Sequence, residues 1–572
     1  MSPTVARSVR QTAARAPQLP RLAALAILFF LACRLPLAHS ATPAETARAP
    51  GEPFAIPTFH CLGLDWSPPG GSLDQPVLVR FRPQGAAEWQ EGLPLRYNPI
   101  AGTEEDLTDY RGSIVQLSPA TTYEIELTLS GTRTQARLKA TTWSEEFPVG
   151  ETVRIANRTE PLAITQSGAP GAYRVYDGRG TTIDVRHQHD VCITIDASYV
   201  IVRGFKLRGA GAADKPGNGR ANAIVIAGGG NIVLEDCDIA DWGRLNPKTG
   251  FGFDMESAIS SRSPTLQRLV VQRCRLHDPT FDGSNWSEPV YPTHSMGPQA
   301  ISLFNTAGNH VIRYNECRSD LSHMFNDVIG GGSNGSFKGA PGPDSDIYGN
   351  VVSHCWDDGL EVEGGNRNTR VWDNYIEQTM MGIGNAATSI GPLYLWRNVV
   401  GRSQARPDAG GGNFIKMGFA GGEQWMTGHM YIFHNTVFRD EGWLPTGGLG
   451  GSRIVKHTTS RNNILHVREP RNHSLSSNPA NIDNSYDHDL YNGQCPPGQE
   501  AHGVRGEPTY AAGAGFDPAT NTGVFQLAPN SPGVAAGEWL PNFSPGPRGT
   551  SPDIGAHPRG APPMRFGIGA RP

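Results

Sequence analysis

Residues 356–374 read WDDGLEVEGGNRNTRVWDN, and the fold is decided by how this stretch alternates. Side chains along a strand point to opposite faces in turn, so Leu360 and Val362 face one way and Glu361 and Glu363 the other. Asp357 and Asp358 stand just ahead of them. So many carboxylates in so short a run repel one another, and a cation, a proton or bulk water has to relieve them. The stretch closes on Trp372-Asp373-Asn374, and that ending recurs. LEDCDI, VQRCRL, IRYNEC, IYGNVV, VWDNYI, LWRNVV, IFHNTV and SRNNIL put Cys237, Cys274, Asn315, Asn350, Asn374, Asn398, Asn435 and Asn463 in one slot. The successive intervals are 37, 41, 35, 24, 24, 37 and 28 residues.

A repeat of this kind predicts an all-β chain whose main body is a right-handed parallel β-helix. One coil needs a little over ~20 residues, and the longer intervals are coils that carry loops. At the tight turn of each coil an Asn tolerates left-handed geometry and hydrogen-bonds the Asn above and below it, which builds a ladder. Cys237 and Cys274 fill the same slot as small, buried, stackable side chains, inert rather than redox-active. Gly 69 and Pro 46 suit such a turn-rich chain better than a helical one.

The solenoid is expected over 144–480. Ahead of it, 53–143 holds short alternating runs, VLVRFRP and TYEIELTL, at the spacing of a small β-sandwich. GLDWSP, with Trp66, and LSPATTY, with Leu117, Pro119, Thr121 and Tyr123, resemble a fibronectin type III domain and its tyrosine corner. That resemblance implies a separate spacer or binding module. Residues 481–572, with FQLAPNSPGVAAG and PDIGAHP, read as an irregular C-terminal cap that protects the last coil's unpaired edges.

Residues 1–40 read as a signal peptide: Arg7, Arg10, Arg15 and Arg21 precede LAALAILFFLA, and Ala38-His39-Ser40 offers a cleavage site. The apolar run is shorter than the roughly 20 residues that span a bilayer, and 41–52 reads as a linker. The mature protein is therefore expected to be secreted or periplasmic, monomeric and without stable membrane insertion. Formal net charge is −5 and charged residues are 18%, so nothing global suggests a nucleic-acid partner. Seven cysteines besides Cys33, with no CxxC pair, exclude a zinc framework and a dense disulfide scaffold.

SHMFNDV, 322–328, and SHCWDDG, 353–359, repeat at a 31-residue offset, which stacks Asp327 on Asp358 and His323 on His354 in neighbouring coils. Coils lie about 4.8 Å apart. With Asp357 and Glu361 alongside, the result is an oxygen-rich nest suited to a hard cation such as calcium; a shared proton or solvent would also relieve it. The next coil places Gly382 and Gly384 where Gly359 and Glu361 stood, and the following one presents Lys416 in NFIKMG. Lys416 is thus expected about 10 Å from the carboxylates across a floor without side chains, which leaves room for a sugar.

These residues resemble polysaccharide lyase family 9. Asp357, Asp358 and Glu361 match its Asp-Asp-x-x-Asp calcium run, with Glu in place of the last Asp. Asp327 matches its ligand from the preceding coil, and Lys416 in GGGNFIKMGF matches its base, one coil further on than the family pattern. The resemblance implies calcium as cofactor, a polyuronate as substrate and β-elimination by a neutral lysine. Glu363, His323, His354, Gly382 and Gly384 are then candidate substrate contacts. Two other classes fit the residues: a glycoside hydrolase that uses paired carboxylates alone, and a non-catalytic glycan-binding solenoid that relies on exposed aromatics such as Trp356, Trp425 and Tyr394.

Overall fold

In a computed structural model, residues 51–103, 108–212, 220–288, 294–332, 334–403, 412–418, 422–438 and 445–570 are described. The expected signal peptide and most of the linker lie outside them. Among the described residues no helix is long and apolar enough to cross a membrane.

The main body is a parallel β-helix whose 31 strands fall into three columns. Successive coils put like on like. In one column Ile193, Ile224, Ile259, Ile301, Ile329, Leu360, Ile383, Ile415, Leu449 and Leu475 stack in register. All are buried in one continuous core, as alternation in the opening stretch requires. Coils continue past residue 480 through Ser485–Asp487, Leu490–Tyr491 and Val504–Arg505.

The ladder forms along one turn edge. Asn315 Nδ2 donates to Asn350 Oδ1 (3.0 Å), Asn350 to Asn374 (2.9 Å), Asn374 to Asn398 (2.9 Å), Asn398 to Asn435 (3.0 Å) and Asn435 to Asn463 (2.9 Å). Each amide also bonds the backbone, as Asn398 Nδ2 does to Val371 O (3.0 Å). Asp489 ends the run by accepting from Asn463. The left-handed geometry, however, falls on the residue before each rung: Asp373 (φ 50°), Arg397 (55°), His434 (53°), Asn462 (61°) and His488 (58°). The ladder side chain leaves that turn's backbone groups bonded, and its neighbour takes the strain.

Seven antiparallel strands precede the solenoid. Gln90–Tyr97 is shared between a sheet with Phe54–Pro57, Leu62–Trp66 and Tyr110–Ile114 and a sheet with Val77–Pro83, Thr122–Leu129 and Gln135–Thr141. Trp66, Leu117 and Tyr123 lie in its core, and the Tyr123 hydroxyl accepts the Ser118 N–H at 2.9 Å.

This unit is not the separate spacer expected. It packs along the solenoid, where Phe59, Cys61 and Val115 join outward residues of a second column, among them Tyr348, Trp372, Tyr394 and Trp396. Ring centroids of Tyr348 and Trp372 stack at 4.1 Å, and those of Trp372 and Trp396 at 4.6 Å. Arg370, wholly buried, pairs with Asp346 (2.6 Å) and reaches Ser113 Oγ (3.2 Å). The physical reason is burial: a column of outward aromatics exposes too much apolar surface to face water.

Nor is the C-terminal segment only an end cap. Phe525, Ala556, Met564 and Phe566 pack on outward Val351, Tyr375 and Val399 of the third column. Two outer faces are therefore covered by apolar packing. The first column's outward residues, Thr194, Val225, Ser260, Ser302, Gly330, Glu361, Gly384 and Lys416, are mostly small or polar. The acidic stretch stands on that face.

Candidate functional site

Two long strands, Val351–Glu361 and Tyr375–Asn385, bend from one column into the next, and the bend carries the site. Ile329 pairs with Leu360 at the expected 31-residue offset, whereas Phe325 bridges Cys355 at 30. Asp327 Oδ1 accepts the Asp358 N–H at 3.0 Å across the two coils. Its Oδ2 accepts from Gln299 Nε2 (2.9 Å) and Asn326 Nδ2 (2.7 Å), so Asp327 is fixed on three sides. Glu361 accepts the Gly331 N–H (3.0 Å) and Glu363 the Ala386 N–H (2.8 Å).

These carboxylates converge. Asp327, Asp357 and Asp358 offer oxygens within 4.8 Å of one another, and so do Asp358, Glu361 and Glu363. Asp357 Oδ1, Asp358 Oδ1 and Glu363 Oε2 are buried without a hydrogen-bond partner. Burial, and then the neighbouring charges of Asp357 and Asp358, push Asp327 well above the usual carboxylate range. Asp357 is raised by burial against the pull of Lys416. Asp358 rises to about 6 for the same reasons. Glu361 is raised by desolvation, then by Asp327 and Glu363.

Lys416 answers them directly. Its strand pairs with Tyr375–Asn385, Lys416 opposite Gly384, and Gly384 opposite Glu361. The ammonium bonds Asp358 Oδ2 and lies 3.3 Å from Glu363 Oε1 and 3.8 Å from Asp357 Oδ1. The expected 10 Å gap is therefore absent. A long side chain spans one coil spacing, and Asp358 leans into the space above Gly384, where a Cβ would come within 2.2 Å of its Oδ2. Desolvation pulls the Lys416 pKa down, but Asp357, Asp358, Glu363 and Glu361 outweigh it and hold the ammonium well above its ordinary value. Without a cation Lys416 is an acid's counterion, not the neutral amine the sequence reading required.

Other expected contacts fall elsewhere. His323 Nδ1 lies 3.0 Å from Asp320, in a separate group with Asp278, and His354 Nδ1 meets Ser353 Oγ at 2.9 Å. Neither histidine enters the nest, and the bridge between Phe325 and Cys355, a 30-residue offset, takes His323 out of register with His354. Gly382 also does not floor the trough: a Cβ there would meet Phe414 O at 2.7 Å and Val400 at 2.9 Å, so its smallness serves packing. Tyr394 is buried beneath the sandwich, its hydroxyl accepting the Ser113 N–H. Three residues outside the candidate set lie against the nest or its ligands. His294 Nε2 lies 3.8 Å from Asp357 Oδ2 and its ring lies tilted against Trp286 (centroids 4.7 Å), while Gln299 and Asn326 position Asp327. Gln299, buried one coil before Asp327, shares the parity of inward Ile301, so alternation hides it; His294 sits on a loop that no periodicity places.

The nest fits a hard divalent cation on the chemistry of its donors. All are carboxylate oxygens, three of them buried and unbonded, and five carboxylates face one ammonium. Asp327, Asp357, Asp358 and Glu361 are the residues placed to hold it, with Glu363 beside Lys416.

No protein-family model matches the chain, and no curated protein matches it significantly. Among solved structures it is similar to a GH136 lacto-N-biosidase from Eubacterium ramulus at 10% identity and TM-score 0.30, covering 63% of this chain and 61% of that one. It is also similar to the catalytic domain of a GH87 α-1,3-glucanase (10%, TM-score 0.23, 79% of each chain) and to pectate lyase PelI from Erwinia chrysanthemi (10%, TM-score 0.16, 65% of this chain and 92% of that one).

Proposed function

We propose that the chain is an exported carbohydrate-active enzyme, a calcium-dependent lyase that cleaves an acidic polysaccharide by β-elimination, with Lys416 as the base. The observation that carries this reading is the pairing of one lysine with a nest of buried, partly unbonded carboxylates on the solenoid's polar face. Calcium, when bound, would neutralise the nest and the substrate's uronate carboxylate. Lys416 is then no longer held as the counterion of Asp358, and its remaining surroundings disfavour charge. Having given its proton to solvent, the amine accepts the proton from the carbon next to the uronate carboxylate while the C–O bond to the 4-linked sugar breaks and the leaving oxygen takes a proton from water. Gly384 leaves the room that the Asp358 carboxylate fills between Glu361 and Lys416, and Gln299 and Asn326 hold Asp327 in place. An epimerase would begin with the same proton transfer.

One observation favours a second reading. Asp358 titrates at about 6 beside other carboxylates, the kind of poised acid that a glycoside hydrolase uses. Against it, within each triplet, Asp327–Asp357–Asp358 and Asp358–Glu361–Glu363, the oxygens gather within 4.8 Å, a cluster suited to holding a cation rather than an acid pair set roughly 5–5.5 or 6.5–9.5 Å apart.

A polyuronate panel, followed by the ultraviolet absorbance of the unsaturated sugar that only elimination creates, decides between them. The lyase reading expects that absorbance to grow with calcium and to vanish with chelator. New reducing ends without absorbance would replace it with the hydrolase.

A further inference from the structure

We propose that the C-terminal end of the solenoid carries a transition-metal site, suited to zinc, built from Asp487, His488 and His502. It shares no residue with the acidic nest.

His488 occupies the left-handed turn before the final ladder residue Asp489. Its predecessors in that column are bonded: Arg397 to Asp373 (3.2 Å), His434 Nε2 to Ser544 Oγ and Asn462 Nδ2 (both 3.1 Å), and Asn462 to Glu538 O (2.8 Å). His488 differs, for its Nδ1 is buried and has no hydrogen-bond partner. That nitrogen faces Asp487 Oδ2 at 3.6 Å and Glu538 Oε2 at 3.8 Å. The His502 ring stacks on His488 (centroids 4.9 Å), and its Nδ1 lies 2.8 Å from the same Asp487 Oδ2. One donor atom from each of the three residues falls within 4.8 Å of the others.

The spacing suits a small tetrahedral ion. Ligand atoms about 2.0–2.1 Å from zinc stand roughly 3.3 Å apart, close to the 3.6 Å between His488 Nδ1 and Asp487 Oδ2. The 2.8 Å contact to His502 needs to open by only about half an ångström to match. Two imidazoles and one carboxylate select a borderline ion over calcium. The ligand is also pre-oriented: Asp487 Oδ1 accepts the backbone N–H groups of His488 (3.0 Å) and His502 (2.7 Å), which turns Oδ2 toward the rings. Arg461, the nearby cation, is engaged with Glu538 (2.7 Å) and with Ser485 O and Oγ (2.7 and 2.8 Å). Its partner Glu538 is thereby neutralised, and solvent supplies the fourth ligand beside the exposed His502. A surface His502–Asp487 ion pair alone would leave His488 Nδ1 unexplained. The ion would tie the loop before the solenoid's last strand, Val504–Arg505, to the coil beneath it and so secure the solenoid's open end.

The test uses the full chain, stripped with chelator and titrated with zinc alone by calorimetry and by thermal unfolding, with cobalt absorption reporting tetrahedral geometry. The expected result is a zinc site that raises the midpoint, weakened tenfold or more by His502→Ala and by His488→Ala, and unaffected by Asp358→Asn in the acidic nest. His502 is exposed, so its variant folds whatever His488→Ala does. Zinc affinity unchanged in His502→Ala, binding lost only in Asp358→Asn, or no zinc binding at all would each overturn the site.

Discussion

Replacing Lys416 by Met removes the only ammonium among the described residues that touches the nest, and the structure predicts two opposite consequences. Lys416 lies within 4 Å of three carboxylates, two of which bury an unbonded oxygen on their other side. At an effective dielectric of about 20 each contact is worth roughly 4 kcal/mol before desolvation, and breaking such a buried pair typically costs 3–5 kcal/mol net. The lysine retains some exposure (22%), so the low end, about 3 kcal/mol, is the expected loss in chelated protein. The same ammonium competes with a cation for the same oxygens. Calcium affinity should therefore rise in Lys416→Met, by at least tenfold and up to about 100-fold if the whole 3 kcal/mol is recovered. Denaturant unfolding in chelator and calorimetric titration with calcium measure the two effects, and both should appear in protein that has lost elimination activity. Unchanged stability in chelator, or calcium binding that is equal or weaker than in the parent, would refute the reasoning that Lys416 holds the place of a cation.

Asp344 supplies the pH dependence. Burial, then the nearby Asp65, raise it from 3.8 to about 7, and a carboxyl raised in the folded state loses stability as pH climbs through that window. Asp344→Asn keeps a residue that tolerates its φ of 53°, so it should match the parent near pH 4 and exceed it by up to about 4 kcal/mol above pH 7 in denaturant unfolding. Equal stability at both ends would contradict the assignment. Asn398→Ala strips the ladder of bonds to Val371 O and Asn435 and from Asn374, and should cost more than about 3 kcal/mol because the partners stay buried; a loss under about 1 kcal/mol would argue that the ladder is decorative. Gly384→Ala places a methyl within 2.2 Å of Asp358 Oδ2 and should abolish both activity and calcium binding while the far-ultraviolet spectrum stays that of the parent. Retained activity there would show that the trough does not run over Gly384.

The sequence by itself determined what repeats. Parallel coils stack identical positions, so the Asn slot, the inward Leu360 and Val362, and the pairing of Asp327 with Asp358 at a 31-residue offset are written as periodicity, and the bonds among Asn315 to Asn463 follow from it. The acidic nest was legible for the same reason, since a register fixes which carboxylates share a face. Tertiary structure alone decided what lies between repeats. Side-chain reach closed the gap between Lys416 and Asp358, which backbone spacing had left open, and set the ammonium directly against the carboxylates. The backbone turn moved the left-handed residue to the position before the Asn, and placed Gly382 inward while Gly384 stayed in the trough. Loops of no fixed period brought His294 to Asp357, and His502 back to Asp487. The sandwich and the tail were drawn onto two outer faces because Trp372, Trp396, Tyr375 and Val399 there could not remain in water. Periodicity says which side chains point outward; only the packed chain says what covers them.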